Sequence, residues 1–527
     1  MKCFSRNVTR RSFILTGVAL VSTLVSGQRH LPPREIASAS RQTVRDVDFE
    51  ELQKAVDAAV GNTLVVSRRW VIAKAINLPE NIEIIGLPGH SIATDLPDLS
   101  LLIADSKRNI RIVGVTFEQS IPGQKAYVAA VHLKGCRECV VEGCKFTGMQ
   151  WAGVFLNSTI DSRVVGNHFS GFLGTVQDSA DICVYRNSSR NTINNNNCQG
   201  GNYVGILVQD PYGGTMPSHN VIEGNQCSGH KAYGIVVYQT SGVESSYNRI
   251  VRNTVLDVLG SVGEGHFGAG IYVVGAGGTI ISENVVRNCC RQTSGRQLAP
   301  AGIGINGIAA TLVPVTITSN KIEAMSRMDG ILVVSSPGGA LLTSNTVSMP
   351  AENPSAAIRI DGSSNVIVTG EHHLQVTHPS GRVMLVFAQS NDCRNIRIEG
   401  VAAIGGGYSQ LETLRSGKFV VRSISVKNLV LRGATGSSIP LRLGHGSVDG
   451  GNFSSLDVVS STLGPALHQR ECTAVTYSGN KLSSGGSVAV VFEGNNEGTV
   501  FSGTNRAITQ VESGKKVDVR GSGVVIE

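Results

Sequence analysis

The sequence predicts an all-β protein folded as a single-stranded right-handed parallel β-helix, and two repeated phrases support this prediction. In the first phrase, an apolar residue is followed three positions later by asparagine and five positions later by a second apolar residue. The phrase returns about every 28 residues, which is typical of stacked units that cannot bury their apolar faces alone. Its clearest asparagines are Asn167, Asn196, Asn225, Asn253, Asn284, Asn320 and Asn345.

The second phrase is a short run that usually begins at a glycine, as in Gly205 to Val208 and Gly234 to Val237. Both phrases alternate apolar residues with a period of two and are rich in β-branched side chains, so both indicate strands separated by turns. No helical pattern of ten or more residues lies between them. Each strand must therefore pair with its own copy one coil away, which stacks the asparagines into a ladder and the neighbouring apolar residues into a core column.

A short capping helix is expected before the first coil. Asp48 and Glu51 make an N-capping pair, and Leu52, Val56 and Val60 fall on one helical face. Such a helix would cover the open end of the solenoid, where the first coil has no neighbour.

These repeats, and the segment from Phe49 to Gly89 that precedes them, resemble the right-handed parallel β-helix proteins of the pectate-lyase-like superfamily. The resemblance covers roughly residues 45–450 and implies the fold far more strongly than an activity, because this superfamily hosts many activities. In residues 451–527 the phrase decays. Irregular C-terminal coils and a cap are expected there, with a separate small β domain as the alternative.

Residues 1–27 are expected to be an export signal. Thr9 to Leu15 resembles the twin-arginine consensus, and the apolar run that follows is too short to span a membrane comfortably. A chance basic and apolar start is the alternative. Removing the segment deletes four basic residues and no acidic one, so more than half of the formal net charge of +7 disappears. We therefore expect a periplasmic or extracellular protein without a stable membrane anchor, in which residues 28–44 are a linker.

Composition argues against a nucleic-acid partner, because the mature chain loses most of its basicity and aromatic residues make up only 5 % of the sequence. Cys136, Cys139 and Cys144 show a zinc-ligand spacing, but no second cysteine or histidine pair accompanies them, so structural thiols are favoured. His372 and His373 would point to opposite strand faces and cannot chelate copper together; His372 falls on the apolar column and implies a bulge. No metal site is predicted, and the cofactor and oligomeric state stay open.

The connections that flank the glycine strands are longer between about residues 170 and 310 than elsewhere, which predicts a groove walled by loops. A polysaccharide is the expected partner, because aromatic faces contact sugar C–H groups while amides and charges bind hydroxyls and carboxylates. Outward strand positions place Tyr185, Gln209 and Tyr238 in one column. The substrate-binding candidates are Tyr185, Gln209, Tyr212, Tyr272 and Asp181. A solvated strand face with incidental tyrosines is the alternative.

The catalytic candidates follow from the chemistry of uronate polymers, since a lyase or epimerase must neutralise the carboxylate and remove the proton at C5. Arg186 and Lys231 would neutralise charge, whereas Tyr238, His230 and His266 would transfer protons. Asp210 belongs to the segment Gln209 to Tyr212, which is similar to the Asp-Pro-His segment of alginate C5-epimerases but has Tyr212 in place of the histidine. A hydrolase needs two carboxylates at a defined separation, and the paired-aspartate motifs of the polygalacturonase family are missing.

The sequence thus favours an exported carbohydrate-active protein, acting as a lyase or C5-epimerase on an acidic polysaccharide if it is an enzyme. The alternative is a non-catalytic polysaccharide-binding or envelope-structural β-helix protein. Whether the protein is an enzyme stays open at this point.

Overall fold

The computed structural model describes residues 35–173, 178–210, 215–240, 244–260, 268–290, 300–323, 328–389, 391–405, 408–432, 439–460, 464–502, 504–509 and 515–526. Residues 44–527 form one compact unit, which contains all of the described coils. Of residues 1–43, the structure describes the helical stretch 35–43.

Each regular coil contributes one strand to each of three parallel sheets, which we name by their place around the coil. The pre-asparagine sheet contains Thr63–Val66, Ile82–Gly86, Ile110–Val113, Val140–Glu142, Arg163–Val165, Thr192–Asn194, Val221–Glu223, Arg249–Val251, Ile280–Ser282, Val315–Thr318, Ala340–Thr343, Val366–Thr369, Cys393–Glu399, Val421–Lys427, Val448–Ser454 and Thr473–Ser478. The post-asparagine sheet contains Trp70–Val71, Ser91–Thr94, Thr116–Gln119, Lys145–Thr147, His168–Ser170, Asn197–Gln199, Gln226–Ser228, Thr254–Leu256, Val285–Arg287, Lys321–Glu323, Thr346–Met349, His373–Val376, Ala402–Gly405, Val430–Arg432, Asp457–Ser460, Lys481–Ser484 and Arg506–Thr509.

The glycine-strand sheet completes each coil. It contains Ile76–Asn77, Leu102–Asp105, Ala129–Lys134, Ala152–Asn157, Ala180–Tyr185, Val204–Asp210, Tyr233–Gln239, Ala269–Val274, Ala301–Asn306, Asp329–Val334, Ala356–Asp361, Arg382–Ala388, Ser409–Arg415, Leu441–Leu443 and Leu467–Arg470. The long strands Val488–Phe501 and Lys515–Ile526 follow, and Val488–Phe501 pairs with both the glycine-strand and the pre-asparagine sheets. The predicted all-β right-handed parallel β-helix is confirmed.

One apolar core fills the coils from Leu52 to Phe501. Phe117, Phe146 and Phe169 stack in the predicted core column, with ring centroids 5.0 and 4.6 Å apart. Further along, Cys198 and Cys227 stand opposite each other in register and are buried. Side chains of the same kind therefore pile over one another along the axis, as the repeat predicts.

The asparagine ladder has the predicted form. Asn225 Nδ2 donates to Asn253 Oδ1 at 2.9 Å and to the Ile193 carbonyl at 2.9 Å, while Asn225 Oδ1 accepts from the Asn196 backbone N–H at 3.0 Å. The same pattern links the ladder from Asn167 to Asn345. Each buried amide therefore makes hydrogen bonds to the coils on both sides of it, so its donor and acceptor atoms have the partners that a buried polar group requires.

The ladder ends at His372, whose Nδ1 accepts from the Asn345 backbone N–H at 3.3 Å. The sequence analysis predicted that His372 lies on the apolar column, and this prediction is wrong. Leu374 occupies that column, in register with Val347. The imidazole nitrogen accepts a hydrogen bond as an asparagine oxygen does, so a histidine fits the ladder position without a bulge.

The helix near the N-terminus is longer than expected. It runs from Glu35 to Ala58, so Asp48 lies within it and is not an N-cap. Asp48 instead accepts from the Val71 backbone N–H at 2.8 Å and pairs with Arg68 at 3.2 Å. Leu52 and Val56 are buried against the first coils as predicted, but Val60 is exposed.

The C-terminal stretch continues the coils. Val448–Ser454 pairs in parallel with Thr473–Ser478, and Lys481–Ser484 pairs with Arg506–Thr509. All ten cysteines from Cys136 onward are buried. Among the described residues, none of the histidine, cysteine and carboxylate groups forms a cluster that could hold a metal. No helix in the described part of the chain has the length and hydropathy to cross a membrane.

Candidate functional site

The outer face of the glycine-strand sheet changes character along the axis. Its middle column of outward side chains runs His132, Phe155, Cys183, Leu207, Val236, Tyr272, Gly304, Leu332, Arg359, Leu385, Glu412 and Arg442. Aromatic and aliphatic residues occupy the first half, and charged residues appear in the second. The strand register therefore divides this face into an apolar half and a charged half.

The predicted column stands in register, with Tyr185 opposite Gln209 and Gln209 opposite Tyr238. Its exposure differs from the expectation of an open groove. Tyr185 is 1 % exposed and Gln209 is also buried, whereas Tyr238 is 38 % exposed. Tyr272 is buried too, and this burial raises the pKa of its hydroxyl. Of these four residues, only Tyr238 presents a surface that a ligand can contact in this structure.

Asp181 lies inside the coil, which corrects its expected place beside a groove. It occupies the position at which the strand phrase usually has glycine. At the equivalent Gly205 in the next coil, an added Cβ would lie 2.9 Å from Cys227 Sγ, so a side chain at this position points into the coil. Asp181 Oδ2 contacts His230 Nε2 at 3.0 Å, and both side chains are fully buried. Burial raises the pKa of Asp181, and His230 opposes that rise. The pair is an interior polar contact, so His230 is not on the strand face either.

The other candidates do not converge. Asp210 is buried at the end of Val204–Asp210, and its backbone carbonyl accepts from the Thr240 hydroxyl at 3.1 Å. Arg186 is exposed, with its guanidinium 5.6 Å from the Tyr185 ring centroid. Lys231 is exposed as well. Tyr212 and His266 lie outside the described residues, as do parts of the loops predicted to wall the groove. The catalytic and binding roles of all eleven candidates stay predictions.

The apolar half is held together by an aromatic cluster, which we call the aromatic patch. Its rings are Tyr127, Trp151, Phe155 and Tyr185, with His132 stacked on Phe155 at 4.4 Å. The hydroxyls of Tyr127 and Tyr185 are 3.1 Å apart, and Tyr127 is the exposed member. Burial lowers the pKa of His132 to about 4, so its ring is neutral near pH 7. The patch acts as a second apolar core outside the coils.

The charged half contains what we call the charged cluster. It consists of Asp329, Arg359, Asp361, Arg382, Glu412 and Arg442, together with the ring of Tyr408. The carboxylate side chains are only 1 to 3 % exposed, whereas the guanidinium side chains are 17 to 30 % exposed. The anions thus form the buried layer of the cluster, and the cations form its outer layer.

Strand alternation places these side chains. Ile358 and Ile360 point into the core, so Arg359 and Asp361 between and after them point outward. Arg359 lies between two carboxylates: its guanidinium nitrogens are 2.6 Å from Asp361 Oδ2 and 3.9 Å from Asp329 Oδ2. Asp329 Oδ1 accepts from the Ala356 backbone N–H at 2.9 Å, which fixes its carboxyl plane.

The second part of the cluster is arranged around Glu412. Arg382 Nε donates to Glu412 Oε2, and Arg442 lies 3.5 Å from Glu412 Oε1. Both guanidinium groups lie 4.8 Å from the ring centroid of Tyr408. Each carboxylate oxygen thus faces one arginine, and the aromatic ring contacts both cations.

Burial controls the protonation of this site. It raises the pKa of Asp329 to about 6, although Arg359 acts in the opposite direction. Burial also raises the pKa of Asp361 and of Glu412, again against their arginine neighbours. A carboxyl group that titrates near pH 6 carries a proton more often than an ordinary aspartate and can donate it.

Sequence reasoning missed the charged cluster because it followed the long loops of residues 170–310. A signal was present: the outward positions of the strand phrases carry Arg359 and Arg382, where the preceding coil has Leu332 and Ala356. Charged residues repeated at outward positions of consecutive coils must lie side by side.

A search of the curated proteins finds no match to this chain. Among solved structures, it is similar to the surface adhesin PfbA of Streptococcus pneumoniae at 12 % identity, over 72 % of this chain and 96 % of that chain, with a TM-score of 0.40. The tailspike protein of E. coli bacteriophage HK620, in complex with a pentasaccharide, is similar at 12 % identity over 89 % and 76 % of the two chains, with a TM-score of 0.42. The periplasmic alginate epimerase AlgG is similar at 10 % identity over 88 % and 84 %, with a TM-score of 0.35.

At such identities a structural likeness concerns the fold alone. At the level of families, residues 100–290 match the family model described as "Right handed beta helix region", so this stretch of coils carries the sequence pattern of that family.

Proposed function

We propose that the protein is an exported, carbohydrate-active β-helix protein that acts on an acidic, uronate-containing polysaccharide, and that the charged cluster is where the polymer binds. The observation that supports this proposal most directly is the layering of the cluster. The guanidinium groups of Arg359, Arg382 and Arg442 form its outer layer above buried carboxylates. Guanidinium groups match carboxylates with paired hydrogen bonds, so a polyanion meets complementary charge at this surface.

The same site has the groups that uronate chemistry requires. An arginine can neutralise the uronate carboxylate, which makes the C5 proton more acidic. Asp329 has a pKa of about 6 and can hold or release a proton near neutral pH. A lyase or an epimerase is therefore the preferred activity, in agreement with the sequence-based hypothesis.

The alternative is a non-catalytic polysaccharide-binding or envelope-structural protein, and two features favour it. Glu412 already engages both Arg382 and Arg442. In addition, Tyr185 and Gln209 of the predicted binding column are buried within the apolar half. A face of this kind can hold a polymer without altering it.

Incubation of the mature protein with polygalacturonate and alginate tests the proposal. A lyase increases the absorbance of the unsaturated product, an epimerase changes the NMR spectrum of the polymer, and a binding protein only retains it. The variant Arg359→Gln should lower the rate or the retention at least about tenfold, since a charged hydrogen bond is lost. Arg422→Gln is the matched control, because Arg422 also contacts two aspartates but lies on the pre-asparagine sheet. Polymers that are neither altered nor retained would rule out this function.

Export is part of the proposal and rests on residues 1–27, which lie outside the described residues. Replacing Arg10 and Arg11 by lysine should keep the precursor in the cytoplasm, because the twin-arginine pair is what the export machinery reads. Unchanged export of this variant would contradict a twin-arginine route.

A further inference from the structure

The last described coil of the solenoid exposes the end of the apolar core. Val519 stands in register with Phe492 of the preceding coil, which is completely buried. Ile526 stands in register with Phe501, which is only 4 % exposed. Val519 itself is 40 % exposed and Ile526 is 54 % exposed. The core columns therefore reach solvent at this end, and apolar surface exposed in this way is typical of an interface.

The backbone of the same coil also has an open edge. The strand Lys515–Ile526 pairs in parallel with Val488–Phe501 on one side, and none of the other described strands pairs with its opposite side. A strand of 12 residues at the edge of a sheet, next to exposed apolar side chains, is a surface that a strand of another chain can extend.

The opposite end of the solenoid is covered by the helix near the N-terminus. Leu52 of this helix is buried in the core of the first coils. Gln53 donates to the Asn77 carbonyl at 2.9 Å and accepts from the Asn77 N–H at 2.8 Å. Asp48 accepts from the Val71 N–H at 2.8 Å. Because the helix occupies the first coil, the last coil of one copy cannot stack there in a head-to-tail array. Two copies can instead meet with last coil against last coil, about a two-fold axis.

The charges of the last strand are complementary to those of a second copy. Val519 continues a core column, so Asp518 and Arg520 on either side of it point outward, and Arg520 Nε donates to Asp518 Oδ2 at 2.6 Å. An antiparallel pairing of two such strands centred on Val519 places Asp518 of each copy opposite Arg520 of the other. The pairing thus forms two reciprocal ion pairs across the strands, and each copy covers the apolar end of the other.

We propose that the last described coil is the interface of an end-to-end homodimer, in which the strands Lys515–Ile526 of two copies pair antiparallel about a two-fold axis at Val519. This strand follows Val488–Phe501 and Leu467–Arg470 in the glycine-strand sheet, so the pairing continues that sheet from one copy into the other. The outer faces of both sheets, each with its charged cluster, then lie on the same side of the dimer. The inference concerns assembly and stands independently of the proposed function.

Sedimentation of the purified protein over a range of concentrations measures the association. The wild type should dimerise, and its dissociation constant should rise at least about tenfold in Asp518→Arg and in Arg520→Asp, because each variant places like charges opposite each other twice. An equimolar mixture of the two variants should recover the dimer, since each copy then supplies the charge that the other lacks. Failure of the mixture to associate would overturn the proposed pairing.

Val519→Asp should also weaken the dimer, and Val430→Asp is its matched control. Val430 is similarly exposed, at 36 %, but lies on the post-asparagine sheet with a strand paired on each side. Thermal unfolding checks that the variants are folded. A wild type that stays monomeric at every concentration would overturn the proposal, and slow hydrogen exchange at residues 515–526 in such a monomer would assign the cover to another segment of the chain. An oligomer that the charge variants leave unchanged would overturn it as well.

Discussion

The apolar and charged halves of the glycine-strand face share one backbone and one register but have opposite surface chemistry. In the first half, outward residues such as Phe155 and Leu207 pack into the aromatic patch and are buried. In the second half, the same column carries Arg359, Glu412 and Arg442. The asparagine ladder runs behind the first half and ends at His372, before most of the charged strands begin.

The comparison separates what the repeat determines from what it leaves free. Inward positions are fixed by the core, because a polar group there must find a buried partner, as Asp181 does with His230. Outward positions carry no such demand, so they can be apolar in one coil and charged in the next. The fold is therefore a scaffold, and function resides in a few outward positions of a few coils.

The largest effect is expected from removing the centre of the aromatic patch. Phe155→Ala should lower the free energy of unfolding by about 3 to 5 kcal/mol, because it leaves a cavity among Trp151, Tyr185 and His132. Phe387→Ala is the matched control on the charged half, where the ring is only half-buried beside Arg359. Its cost should be about 1 to 2 kcal/mol. Denaturant unfolding measures both, and equal losses would show that the two halves do not differ in packing.

A smaller effect, which depends on pH, is expected in the charged half. Because burial raises the pKa of Asp329 to about 6, its contribution to stability is present below its unfolded pKa and is lost as the pH rises through 6. Asp329→Asn removes this titration and preserves the acceptor for the Ala356 N–H. The variant should therefore be more stable than the wild type at pH 8, by about 1 to 3 kcal/mol, with little difference near pH 4.

Asp392→Asn provides a control with the opposite sign. Burial acts to raise the pKa of Asp392. Hydrogen bonds from the Val420 N–H, Arg422 and Arg394 outweigh this effect and hold that pKa below its ordinary value. Its stabilising contribution is therefore present above the unfolded pKa and is lost as the pH falls. This variant should be less stable than the wild type at pH 8, and melting temperatures across the pH range measure both differences. A pH-independent difference for Asp329→Asn would contradict the assignment of a raised pKa.

The fold could be predicted well from the sequence because each coil stacks on the next, so every coil must meet the same requirements for packing and hydrogen bonding. The asparagine ladder from Asn167 to Asn345 and the core column beside it occur where the repeat places them. The site was harder to predict for two physical reasons. Alternation shows that Tyr185 points outward, but only the packing of Tyr127 and Trp151 shows that it is covered. Asp181 stands where other coils have glycine, so its side chain turns inward.

The smallest effect on stability, and the sharpest test of whether the apolar half takes part in binding, concerns Tyr238. It is the exposed residue among Tyr185, Gln209 and Tyr238, and Asp361 lies in the same column four coils further on. Four inter-strand steps of about 4.8 Å separate them by about 19 Å, a distance that several linked sugar units span. Tyr238→Ala should change the free energy of unfolding by less than about 1 kcal/mol, since the ring is partly exposed. If the polymer runs along the axis, the variant should lose a few-fold in affinity for long oligosaccharides and nothing for disaccharides, because only a long ligand reaches from the charged cluster to the tyrosine. Affinities measured against chain length decide this point, and an equal loss at all lengths would place the ligand in a different direction.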